Sequence, residues 1–92
     1  MRSVDHNWTP VDESIPSYVR LRVMGPHDLH YTFAKPSRAA NLPTNPEDVY
    51  LATEESDPFV IRDLKKQGIQ LYIRCAVPDE HTLIDLRLME GQ

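Results

Sequence analysis

Strict two-residue alternation limits what this chain can fold into more than any other feature. In Tyr18–Met24, Val19, Leu21 and Val23 point one way and Arg20 and Arg22 the other. Leu29, Tyr31 and Phe33 then alternate with His30 and Thr32. In the last third, Ile69, Leu71, Ile73 and Cys75 alternate with Gln70, Tyr72 and Arg74, and Ile84, Leu86 and Leu88 with Asp85, Arg87 and Met89. A period of two is the pattern of a strand with one buried face.

The segments between these strands are turns by composition. Gly25-Pro26-His27-Asp28 and Pro78-Asp79-Glu80-His81 each suit a short reversal. The simplest reading is two hairpins. The first pairs Val23 with Leu29, Leu21 with Tyr31 and Val19 with Phe33, all on one face. The second sets Arg74 opposite Asp85 and Tyr72 opposite Arg87 on a wet face, with Ile73–Leu86 and Leu71–Leu88 on a dry one. His27 and His30 are then solvent-facing.

Eight prolines cut up the remainder. Residues 1–17, bounded by Pro10 and Pro16, read as an N-terminal arm or an irregular first strand preceding a single domain over 18–92. Lys35–Glu47 is a long connection, of the kind that is functional or crosses between sheets. Asp48–Thr53 suits a strand. Asn45, Pro46 and Glu47-Asp48 instead suit the cap and first turn of a helix. Asp57–Gly68 has the same two readings, with Phe59-Val60-Ile61 favouring a strand before a Lys65–Gly68 turn. The expected fold is all-β: a small, mostly antiparallel sandwich or barrel-like domain with a proline-bounded arm.

Chemistry is sparse. Ser3, Ser14, Ser37 and Ser56 lack the glycine context of an activated nucleophile. Cys75, the single cysteine, falls on an inward strand position and reads as a small buried hydrophobe. His27 and His30 lack further metal ligands. Glu54, Glu55 and Asp57 lack the central glycine of a calcium loop. Three glycines leave no phosphate-cradling loop. No catalytic residue, metal, cofactor or small-molecule substrate is expected. A net charge of −4 argues against general nucleic-acid binding. No apolar run exceeds Val49–Ala52, so no membrane span is expected, and the opening residues lack the apolar stretch of a secretory signal. The candidate contact residues are Trp8, an indole that either folds back or enters a neighbouring chain, and Arg20 and Arg22, which face solvent and suit an acidic partner.

The succession of Tyr18-Val19-Arg20-Leu21-Arg22-Val23, a Gly-and-Asp turn, an aromatic strand ending in Ala34-Lys35, Val49-Tyr50-Leu51-Ala52, Pro58-Phe59-Val60-Ile61, Ile69–Arg74 and Thr82–Met89 resembles the layout of small structural proteins of tailed bacteriophage particles. That resemblance implies a capsid decoration, head-fibre or neck protein without enzymatic activity, assembled in the host cytoplasm into the virion. It also implies homo-oligomerisation and contacts with other virion proteins. A second expectation is a small interaction module, of host-takeover, inhibitor or immunity type, binding one partner through a sheet edge or the 35–47 loop.

Overall fold

A computed structural model describes residues 2–11, 18–55, 59–62 and 68–89. The strands are β1 (Arg2–Val4), β2 (Thr9–Pro10), β3 (Tyr18–Gly25), β4 (Leu29–Ala34), β5 (Tyr50–Ala52), β6 (Phe59–Arg62), β7 (Gln70–Cys75) and β8 (Thr82–Met89). They form two four-stranded antiparallel sheets, ordered β1-β8-β3-β6 and β2-β7-β4-β5. Val4, Leu21, Val23 and Ile84 of the first sheet meet Val11, Leu29, Ala52, Leu71 and Ile73 of the second in one buried cluster. The protein is a small antiparallel β-sandwich, as the alternation predicts.

Neither expected hairpin exists. Strand β3 pairs with β8 and β6, and β4 pairs with β7 and β5, so the Gly25–Asp28 turn carries the chain from one sheet to the other. The 76–81 turn does the same between β7 and β8. Asp85 therefore lies opposite Arg22, and Arg74 opposite His30. The reason is a matter of magnitude. A cross-strand charge pair contributes about 0.2–1 kcal/mol, whereas burying one aliphatic side chain contributes about 1.5–3 kcal/mol. Alternation places the apolar side chains on one face of each strand, and only a second layer over that face removes all of them from water.

The two crossing turns hold each other at one end of the sandwich. Thr82 Oγ1 donates to the His27 carbonyl at 2.5 Å, the Ala76 amide donates to the Asp28 carbonyl at 2.9 Å, and His27 Nε2 lies 3.6 Å from a Glu80 carboxylate oxygen. Gly25 has a φ of +93°, a backbone region open to glycine, and a Cβ there would overlap the Glu54 carboxyl group.

Within the proline-bounded arm, residues 2–11 supply β1 and β2, one strand to each sheet. Residues 12–17 lie outside the described residues. Both readings of 45–53 are realised in sequence. The Asn45 side chain accepts from the Glu47 amide at 3.1 Å and Pro46–Asp48 form one 3-10 turn, after which the backbone extends at Val49 into β5. One turn is all that the β-branched and aromatic residues beyond Asp48 permit. In 57–68, Phe59–Arg62 is a strand paired with β3. Of the expected Lys65–Gly68 turn, residues 65–67 lie outside the described residues.

Among the described strands, β4 and β5 alone are consecutive in one sheet, and the long 35–49 segment joins them. It does not cross between sheets. It folds through a 3-10 helix at Pro36–Asn41 and returns over the outer face of its own sheet. No helix among the described residues is long and apolar enough to cross a membrane.

Candidate interaction surface

The outer face of the second sheet is not the wet surface that its alternating polar residues suggest. Every residue of β7 is buried, including Gln70, Tyr72 and Arg74, and so are His30 and Thr32 beside them on β4. This corrects the solvent-facing reading of His30, Tyr72 and Arg74. Arg74, 4% exposed, is the centre of the arrangement. Its Nε donates to His30 Nδ1 at 3.2 Å, its Nη2 donates to the Thr44 carbonyl at 3.1 Å, and its guanidinium carbon lies 4.5 Å from the centre of the Trp8 ring. Trp8 Nε1 in turn donates to the Pro43 carbonyl at 2.9 Å. One guanidinium thus ties β7, β4, the strand-leading indole and the 35–49 segment together, using a planar donor fork and an aromatic face that a lysine does not match. Trp8 is folded back onto the sandwich. Next to this latch, Gln70 Nε2 donates to the Val11 carbonyl, and the Val11 amide donates to the Leu71 carbonyl at 2.9 Å.

His30 accepts through Nδ1, so it is held neutral with its proton on Nε2. Burial lowers its pKa from 6.5, and the adjacent Arg74 charge and His6 lower it further, against a smaller opposing pull from Asp28. The unfolded chain therefore binds this proton more readily than the folded one. Its contribution to stability is complete above about pH 6.5 and is lost as the pH falls through that value towards the lowered folded pKa. The urea midpoint is expected to drop between about pH 7 and pH 5. In His30→Gln, where an amide oxygen can still accept from Arg74, the drop is expected to be smaller; equal drops would show that it does not come from His30.

A second feature lies at the β4–β5 corner, where the interior-facing row of the second sheet runs out into solvent. Tyr31 stacks on Tyr50 with ring centres 5.2 Å apart and 20° between planes, and Phe33 meets both rings edge-on at 6.0 Å. Phe33 is 36% exposed and Tyr50 58%, and Leu51 on the opposite side of the same edge strand is 56% exposed. Phe33 was expected in the core by alternation. Beside these rings an open cleft of about 420 Å³ is lined by Thr32, Phe33, Glu47, Asp48, Val49 and Tyr50. The Asn45-capped turn presents Glu47 and Asp48 at its rim.

Arg20 and Arg22 are exposed on the outer face of the first sheet, on the opposite side of the sandwich from Trp8 and the latch. The three sequence candidates thus do not form one site. Cys75 is fully buried, as its inward position suggests, and its carbonyl accepts from His6 Nδ1 at 2.8 Å. Among the described residues, no three of His, Cys, Asp and Glu converge. The latch and the aromatic corner escaped the sequence reading. Their one visible signal is residue type: Gln, Tyr and Arg on β7 are long side chains whose polar ends reach partners when covered, whereas Lys or Glu would not suit such a site.

The fold and these two features define a two-layer β-sandwich with one face strapped shut and one aromatic edge left open. No protein family, curated protein or solved structure matches the chain.

Proposed function

We propose that this protein is an assembly module that acts through protein–protein contacts, in the manner of the small β-rich structural components of tailed phage particles. The observation that carries the reading is the open corner: Phe33, Tyr50 and Leu51 expose large apolar surface at an edge strand. Aromatic residues are the type enriched where protein interfaces are anchored. The latch supports it from the other side. By tying the 35–49 segment to the sheet, it holds Glu47, Asp48 and the rings in a fixed relation, so little ordering entropy is lost on docking. The phage setting rests on the strand layout alone. A single-partner module is the second reading, favoured by the three-residue strand β5, which is the edge of its sheet among the described residues and can take an added strand there.

The test combines solution mass by light scattering with co-sedimentation on phage particles. A defined oligomer or particle binding is expected. Tyr50→Ser with Leu51→Ser should keep the fold and reduce the association by about tenfold or more. A strict monomer without affinity for particles overturns the assembly reading, and a one-to-one complex with a single non-virion protein replaces it with the second.

A further inference from the structure

Charge is segregated across this sandwich. The outer side of the first sheet gathers arginine positions. Arg20 and Arg22 are exposed on β3 and lie on the same side of the sheet. Thus two neighbouring exposed arginines share one side of one sheet, in a protein whose net charge is −4. Asp85, opposite Arg22, is the acidic residue in this register among the described residues. On the other sheet, at the β4–β5 corner, two carboxylates rim a cleft walled by the faces and edges of Phe33 and Tyr50.

A carboxylate beside an exposed aromatic ring suits a guanidinium. The carboxylate accepts its donor fork and the ring stacks on its plane, a combination that a hydrated ammonium uses less well. This same chain already joins a guanidinium to an indole at Arg74 and Trp8. We infer that the acid–aromatic cleft of Glu47, Asp48 and Tyr50 receives the Arg20/Arg22 side of a second copy of this chain. The inference rests on the assembly reading and names its partner. The two surfaces differ and lie on different sheets, so the contact is heterologous and propagates head to tail. It closes into a ring or continues as a filament, depending on the rotation between copies. The docking brings carboxylates to Arg20 and Arg22, and it covers the rings of Phe33 and Tyr50.

A charge-exchange experiment tests it on the full chain. Arg20→Glu changes an exposed side chain on β3, so it should fold like the parent. Glu47→Lys with Asp48→Lys changes an exposed turn. Circular dichroism and thermal midpoints establish that all three proteins are folded. At low ionic strength the parent is expected to self-associate, with the association weakening as salt is added. Each variant alone should lose affinity by about tenfold or more. Mixing the two variants should restore association, because the unaltered cleft of Arg20→Glu then meets the unaltered Arg20/Arg22 side of the other variant, and the new acid at position 20 meets the new lysines at 47 and 48. A parent that is monomeric at all concentrations and salts overturns the contact. So does an oligomer that neither variant disturbs, and in that case assembly stands while this interface falls.

Discussion

Arg74→Ala is expected to lower the unfolding free energy by about 3 kcal/mol, with a matching fall in the urea midpoint at pH 7. The size follows from what the substitution leaves behind. His30 Nδ1 loses its donor in a buried site, which costs about 1–3 kcal/mol, and the Thr44 carbonyl loses its tie to β7. The Trp8 ring also loses the cation stacked on it. Burial lowers the Arg74 pKa from its ordinary value, yet guanidinium remains charged at neutral pH, so the native latch contains a desolvated cation held by neutral acceptors. That is a costly element for a small domain to retain, and its return is the docking of the 35–49 segment. Arg74→Met is the informative companion. It keeps most of the volume and removes the charge together with the donors, so it should recover part of the loss. Trp8 is the only tryptophan, so its emission reports the latch directly. A red shift is expected in both variants. Unchanged emission together with unchanged stability would show that Arg74 does not hold the strap.

Ile73→Ala is expected to cost about 3–4 kcal/mol, measured by urea or thermal unfolding. Ile73 is fully buried at the middle of β7, with Thr9 of β2 on one side and Tyr31 of β4 on the other, facing the first sheet. Truncation removes buried methyl and methylene groups and leaves a cavity. The site has little freedom to collapse, because hydrogen-bonded strands flank it on both sides. A domain of this size has roughly 5–14 kcal/mol in total, so the variant should sit near the limit of stable folding. A loss below about 1 kcal/mol would contradict the placement of Ile73 at the sandwich centre. The two substitutions sit at adjacent positions on opposite faces of one strand, so they probe the interior and the strapped exterior separately.

The pH response shares the latch with the Arg74 effect, because His30 accepts from Arg74. The assembly variants change residues outside the buried cluster: Tyr50, Leu51, Arg20 and Glu47 do not belong to it.

Much of the architecture is local information. Which side chains lie on the dry face of each strand depends on parity along the chain, so Leu21, Val23, Leu29, Leu71, Ile73, Cys75 and Ile84 were legible as interior residues without coordinates. The cap at Asn45 and the strand at Tyr50–Ala52 were legible for the same reason: each depends on neighbours a few residues away. Strand pairing was not. Two alternating strands joined by four residues satisfy their parity equally well as a hairpin in one sheet or as an arch across two, and the choice depends on what covers the apolar face. The exposure of Phe33 and the burial of His30, Tyr72 and Arg74 follow from that choice, because a strand's outer face is wet only if nothing returns over it. By itself, then, the order of residues determined the strands and their inward faces. The tertiary structure alone decided that the two turns cross the sandwich, that the one long segment doubles back over its own sheet, and that a buried arginine fastens it there. Those outcomes come from contacts between residues tens of positions apart, where no periodic pattern reaches.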